Sequence, residues 1–326
     1  MTGPDRGGPP ERVLYVGGWG RSGSTLLDLM LGQVPGFFAA GELRQIWRKG
    51  VAENRRCGCG VVFHDCPFWS KVGHEAFGGW DSLDLEEALD LRARLDRPAA
   101  LPVLVRSASG GHDVVRYVEL LGRLTNAIRS VSGARVIVDS SKTAAHALLL
   151  RRIPGSEIRL VHLVRDSRGV VFSWHRGHDR RVASGRTPRR GRTSVASGSG
   201  RWLFYNATTP LLRRIGVPYL FLRYEDLVSD PERWLTEVVA HAGGVGDRAA
   251  LSFMDGHHVT LQPNHIVHGS SGLRFHSGEL DLKLDEQWRR DMPGADRAMV
   301  TALTLPLLKR FGYPLRTGLG TAGPGR

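Results

Sequence analysis

The stretch from Val16 to Leu27, VGGWGRSGSTLL, sets glycines at 17, 18, 20 and 23 between a short apolar run and an apolar, helix-like segment. Glycine allows a tight turn in which successive backbone N–H groups point inward, and a helix starting near Ser24 brings the positive end of its dipole to the same point. The sequence therefore predicts a strand–loop–helix unit whose loop holds an anion, phosphate or sulfate. In the ATP-binding version, G-x-x-x-x-G-K-[ST], a lysine after the last glycine reaches the terminal phosphates and a hydroxyl holds magnesium. Here Ser24 stands at the lysine position. The cation is Arg21, inside the loop, where a guanidinium can grip an oxyanion through two parallel hydrogen bonds. That points away from a magnesium-dependent ATPase; a glycine-rich turn without any ligand is the competing reading of the loop alone.

Around this unit, strands and helices alternate. Arg12 to Val16, Arg135 to Asp139, Ile158 to Val164 and Tyr219 to Leu222 read as strands, and Thr25 to Gln33, Ser167 to His175 and Pro231 to Ala242 as helices. The expected fold class is α/β, a P-loop-like parallel sheet with helices on both faces, in which ligands sit at the carboxyl ends of the strands. A single domain is expected over 12–314, with 1–11 and 315–326 as disordered ends. Asp84 to Leu95 and Val114 to Ile128 carry apolar residues at helical spacing and fall in an insertion of about 49–129, placed between the first two strands. Arg176 to Gly200 has seven arginines between 176 and 192 and no apolar periodicity, and reads as a mobile loop. Solvated surface and a substrate lid are its two readings.

A formal net charge of +13 over 326 residues calls for an anionic partner: a polyphosphorylated small molecule, an acidic glycan or protein, or nucleic acid. Nucleic acid is disfavoured, because aromatic residues are not interleaved with the basic run. The first ten residues lack the apolar core of a secretory signal and no apolar run reaches membrane-spanning length, so a cytoplasmic location is expected. All three cysteines lie close together, Cys57, Cys59 and Cys66, with His64 among them. This is a compact Cys3His set resembling zinc ligands, yet reduced thiols in a turn-rich insertion beside Trp69 are the preferred reading.

A second signal is LVHLVRDSRGVVFSW, Leu160 to Trp174. Arg165 leaves the end of a strand and Ser173 follows eight residues later on the next helix, so both can approach one phosphate.

Together these residues resemble the sulfotransferases that use 3′-phosphoadenosine 5′-phosphosulfate (PAPS). The family's [RK]-S-G-[ST]-T loop for the 5′-phosphosulfate is matched by Arg21-Ser22-Gly23-Ser24-Thr25, and its Arg and Ser for the 3′-phosphate by Arg165 and Ser173. Arg223-Tyr224-Glu225-Asp226-Leu227 is similar to the YEDL that follows a late strand in many members. The likeness runs from Arg12 to about Tyr313 and is nearest to the bacterial relatives of the carbohydrate and tyrosylprotein enzymes. It implies PAPS as donor, PAP (adenosine 3′,5′-bisphosphate) as product, a hydroxyl of a small metabolite or glycan as acceptor, a place in secondary metabolism, and no metal in the transfer.

The resemblance also implies roles for single residues. Gly20 through Thr25, Arg165 and Ser173 would bind the nucleotide. Arg21 and Lys142, which follows a strand, would stabilise the leaving phosphate, and Glu42 would serve as base, displaced by one residue from the family's Gly-Glu position. Arg274 corresponds to a Gly-Asn-x-x-Arg segment that closes over the nucleotide, although Ser270 replaces the Asn and the spacing differs. Bland readings pair Glu42 with Arg44 or Arg48, and Arg274 with Glu279. His112, His146 and His175 are alternative bases. A P-loop phosphotransferase is the first rival function, and a nucleic-acid-binding protein the second. Neither the acceptor nor the oligomeric state is encoded in these motifs.

Overall fold

A computed structural model describes residues 11–106, 111–183, 194–270 and 272–315. Runs of β-branched and apolar residues form five parallel strands: β1 (Glu11–Gly18), β2 (Phe37–Gly41), β3 (Val136–Lys142), β4 (Ser156–Val164) and β5 (Tyr219–Arg223). They lie in the order β2-β3-β1-β4-β5, so β1 is central, with Leu14 opposite Val138 on one side and Arg159 on the other.

Alternate residues of β1 face opposite layers, as the period of two requires. Val13 and Tyr15 enter a core with Trp47, Trp69, Tyr117 and Leu148, whereas Leu14 and Val16 enter another with Leu27, Met30 and Leu235. The sheet is thus covered on both faces. Helix α1 (Ser24–Leu31) links β1 to β2. Between β2 and β3 come a π-helical segment (Ile46–Ala52), α2 (Pro67–Phe77), α3 (Leu85–Leu95), α4 (Leu101–Arg106) and α5 (Gly111–Ser132). Helix α6 (Ala144–Leu150) crosses from β3 to β4. Helices α7 (Ser167–Ala183), α8 (Val195–Thr208) and α9 (Leu211–Arg214) join β4 to β5. After β5 follow α10 (Tyr224–Ser229), α11 (Pro231–His241), an antiparallel ribbon β6 (Met254–Asp255), β7 (His258–Leu261) and β8 (Gly278–Asp281), then α12 (Trp288–Asp291) and α13 (Gly294–Arg310).

Two sequence expectations change. Strand β2 adds to the four strands that the sequence predicts, so the helical insertion lies between the second and third strands rather than the first two. The segment read as a loop over 176–200 is helical at both ends, since α7 runs to Ala183 and α8 starts at Val195; arginine is a good helix former and needs no apolar stripe to continue a turn. Positions 184–193 lie outside the described residues, as do the first ten and those from 316 onward. No helix among the described residues is long and apolar enough to cross a membrane.

Candidate active site

The loop after β1 is a tight turn that opens directly on the N-terminus of α1. Arg21 (φ 71°) and Gly23 (φ 89°) both adopt left-handed backbone, and the Gly23 carbonyl accepts from the N–H groups of Leu26 and Leu27 (3.0 and 3.1 Å) to start α1. Position 23 admits only glycine, for a Cβ there would sit 2.4 Å from Cδ2 of Tyr224. Helix α1 has no acidic residue in its first turn, so its dipole is uncompensated by charge. Ser22 is buried, and its Oγ has no hydrogen-bond partner among the described residues, which fits a group awaiting an anion. The Arg21 guanidinium lies over the Trp174 ring at 5.0 Å, between the loop and α7.

Strands β2 and β3 deliver Glu42 and Lys142 to the same edge. Lys142 Nζ donates to Glu42 Oε1 (2.8 Å) and to the Ser140 carbonyl (2.8 Å). Lys142 adopts φ 72°, a conformation that costs a non-glycine residue about 1–3 kcal/mol and that tends to occur at functional sites. Burial pushes the Glu42 carboxyl up, but Lys142, His268 and Arg44 outweigh it and hold the group below its ordinary range. It is therefore ionised at neutral pH. Arg44 pairs with Asp96 (3.2 Å) and Arg48 with Glu53 (3.7 Å), so the bland pairings of Glu42 are not the ones formed.

A buried network fixes this pair. Asp139 Oδ1 accepts from the N–H groups of Leu43 (3.4 Å) and Ser141 (2.9 Å), and Ser141 Oγ accepts from the Arg44 N–H (3.0 Å). His146 lies between Asp139 (3.1 Å) and Asp96 (2.9 Å). Burial alone would lower its pKa, but the two carboxylates raise it to about 9. An imidazolium so held positions the strand ends and is not a base. His112 is likewise set aside as a base, because its side chain is solvated beside Asp113 (3.9 Å) at the start of α5. His175 is buried on α7. The histidine that stands at the site is His268: its carbonyl accepts from the Glu42 N–H (3.1 Å), and burial pushes its ring down to about 4, leaving it neutral beside the carboxylate.

Strands β4 and β5 supply the other wall. Arg165 is buried, its guanidinium stacked on the Tyr224 ring (4.7 Å); Nη1 donates to the Arg21 carbonyl (3.4 Å) and Nη2 to the Asp285 carbonyl (2.6 Å). The Asp285 carboxylate also pairs with Arg165 (3.3 Å) and Arg176 (2.7 Å). Gly169 packs against Arg165, and Ser173, four residues on, shares that helical face one turn further. In the RYEDL segment the acids are scaffold. Glu225 accepts from the Asp166 N–H (3.0 Å) and the Tyr313 hydroxyl (2.8 Å), and Asp226 takes the Arg223 fork (2.6 Å twice). Tyr224 instead faces the pocket side, its ring lying against Gly23 and beneath the Arg165 guanidinium.

Residues 264–270 run up to the loop. The Ser270 N–H donates to Thr25 Oγ1 (3.0 Å), Val267 N–H to the Ala40 carbonyl (3.0 Å), and buried Arg274 donates to the Val267 carbonyl (2.8 Å). Of Tyr224, His268 and Asp285, only Tyr224 lies in a recognisable motif, RYEDL; nothing local in the sequence marks the other two. The cysteine set also changes its fourth member. His64 turns to the Val51 carbonyl (2.9 Å), and His265 joins Cys57, Cys59 and Cys66 instead.

No family model and no curated protein matches the sequence. Solved structures do resemble the fold. The sulfotransferase domain from the Synechococcus PCC 7002 olefin synthase superposes with a TM-score of 0.53 at 21% identity, over 96% of this chain and 98% of that one. The sulfotransferase domain from the curacin biosynthetic pathway gives 0.50 at 18%, over 94% and 99%. Over nearly the whole of both chains, the protein has the P-loop-like α/β fold of these sulfotransferase domains.

Proposed function

We propose that the protein transfers a sulfuryl group from PAPS to a hydroxyl of a small molecule. One observation carries the reading: the carboxyl ends of all five parallel strands place a complementary set at one edge, namely the loop of residues 20–25, Glu42, Lys142, Arg165 and Tyr224. That edge is where ligands bind in open α/β sheets.

The donor, when bound, supplies a sulfuryl group whose bond to the phosphate oxygen breaks as a bond to the acceptor oxygen forms. The N–H groups of Gly20, Arg21, Ser22, Gly23, Ser24 and Thr25, with the Arg21 guanidinium, would hold the 5′-phosphosulfate. Arg165 and Ser173 would hold the 3′-phosphate, which must displace the Asp285 carboxylate from Arg165. Arg274 supports the segment that runs up to the loop. Lys142 would meet charge growing on the leaving oxygen, help worth roughly 10²–10³ in rate per well-placed donor. Glu42, ionised at neutral pH, would take the proton of the acceptor hydroxyl, worth roughly 10²–10⁴. On this reading the two partners of one ion pair would act on the two bonds that change, Lys142 on the one that breaks and Glu42 on the one that forms.

Ser24 at the lysine position speaks against the phosphotransferase alternative. For the acceptor, the two solved domains of this fold come from an olefin synthase and from a biosynthetic pathway, which supports a metabolite hydroxyl over a glycan. The test is thermal stabilisation. PAP at about a hundredfold over its dissociation constant should add about 2.7 kcal/mol, and AMP or magnesium-ATP far less. Equal stabilisation by AMP would remove the 3′-phosphate site from the scheme, and a larger effect of magnesium-ATP would favour phosphotransfer.

A further inference from the structure

Away from the strand ends, three thiols and one imidazole converge from distant parts of the chain. Cys57 and Cys59 lie in the turn after the π-helical segment, Cys66 precedes α2, and His265 belongs to the segment that runs up to the glycine loop. One ligand atom from each lies within 4.8 Å of every other. Cys66 Sγ is 3.7 Å from both Cys57 Sγ and Cys59 Sγ, while His265 Nδ1 is 3.3 Å from Cys66 Sγ and 3.7 Å from Cys57 Sγ. These spacings are too long for a disulfide, and all three cysteines are free. These four distances match edges of a metal-sized tetrahedron: zinc–sulfur bonds of about 2.3 Å give sulfur–sulfur edges of about 3.8 Å, and a zinc–nitrogen bond of about 2.0 Å gives mixed edges of about 3.5 Å.

We propose that Cys57, Cys59, Cys66 and His265 bind one structural Zn²⁺ in a closed tetrahedral Cys3His site. Binding converts the three thiols to thiolates and releases three protons, and three sulfurs favour a soft divalent ion over magnesium or calcium. The surroundings hold the donors in place. The His265 ring stacks on Phe68 (5.0 Å) and its carbonyl accepts from Trp69 Nε1 (2.9 Å). The Gly60 N–H donates to the Cys57 carbonyl (2.9 Å), folding the two cysteines into a turn, and the Gly58 N–H donates to the Ile266 carbonyl (3.1 Å). Position 58 tolerates no side chain, since a Cβ would lie 1.9 Å from Asn264 Oδ1. The metal would therefore staple the helical insertion to the segment whose Ser270 caps Thr25 and whose His268 carbonyl holds Glu42. It is a staple and not part of the transfer chemistry.

Elemental analysis of full-length protein, expressed with zinc and purified without a metal-affinity step or chelator, should find about one zinc per chain. A thiol-specific mercurial should release it stoichiometrically to a chromogenic indicator. Cobalt exchanged into the wild type should show ligand-field bands of tetrahedral intensity and a thiolate-to-cobalt charge-transfer band. Cys66→Ser and His265→Ala should lose the metal, and His64→Ala should keep it. Zinc below ~0.1 equivalent in the wild type, with three freely titrating thiols, overturns the site whether or not any variant folds. Loss of zinc from His64→Ala with retention in His265→Ala overturns the ligand set. Both readouts are independent of nucleotide binding, so they stand apart from the proposed sulfuryl transfer.

Discussion

Replacing Glu42 by Gln separates catalysis from binding. Gln keeps the shape and an acceptor oxygen for Lys142 Nζ, now 2.8 Å from Oε1, but cannot take a proton. The pair is largely buried, with 11% exposure for Lys142 and 21% for Glu42, so losing the charge while keeping the hydrogen bond should cost the fold about 1.5–3 kcal/mol, read separately as an unfolding midpoint. Turnover should fall by roughly 10²–10⁴, or about 3–5 kcal/mol in the barrier. PAP affinity should change less than about threefold, since the nucleotide's partners are the loop and Arg165. The pH profile adds a second reading. Glu42 is held below its ordinary value of 4.5, so the acid limb of kcat/KM should lie below pH 4.5 in the wild type and vanish in the variant. The assay is single-turnover transfer of labelled sulfuryl group to an acceptor found by screening hydroxyl metabolites. Full turnover by Glu42→Gln would refute the assignment and make His268, its neutral neighbour, the base to test.

Three further outcomes follow from the geometry. Gly23→Ala, forced to φ 89° and against the Tyr224 ring, should lose about 2–4 kcal/mol in denaturant unfolding; an unchanged midpoint would mean that the loop is not held as described. Asp285→Asn should tighten PAP binding by roughly three- to tenfold in calorimetry, because its carboxylate competes for Arg165; weaker binding would make it a positioning group. His146, raised from 6.5 to about 9, stabilises the fold fully below pH 6.5 and loses this contribution as pH rises through 9. Urea midpoints measured from pH 6 to 10 should show that loss in the wild type and not in His146→Gln, which should be several kcal/mol weaker at pH 6, about 3–5 by the cost of breaking a buried ion pair; an identical profile in both would refute the imidazolium.

What the sequence made legible was local. The glycine loop, Arg165 at the end of β4 and Lys142 at the end of β3 are each written in a few consecutive residues, because a loop's glycines and a strand's apolar run declare themselves within one short window. Strand β2 escaped because FFAAG is five residues long and has no β-branched side chain, and only Gly36 (φ 82°) and Gly41 (φ 75°) bracket it. The Lys142–Glu42 pair spans 100 residues of sequence, and the Arg165–Asp285 pair 120. No periodicity encodes such meetings. The same holds for the cysteine set: proximity in sequence points to His64, whereas the fold brings in His265 from 199 residues beyond Cys66. The insertion's helices were legible from apolar spacing, but their place in strand order depended on β2.

The most direct measurement of the central claim is a two-by-two cycle of dissociation constants. Adenosine 5′-phosphosulfate, which lacks the 3′-phosphate, and PAPS would be titrated calorimetrically into the wild type and into Arg165→Ala. If the strand-end cluster is a PAPS site, the 3′-phosphate should tighten binding to the wild type by roughly 10- to 150-fold, the worth of a charged hydrogen bond of about 1.5–3 kcal/mol. In Arg165→Ala that advantage should largely disappear, while the affinity for adenosine 5′-phosphosulfate stays close to wild type. An undiminished preference for PAPS in the variant, or no preference in the wild type, would contradict the account.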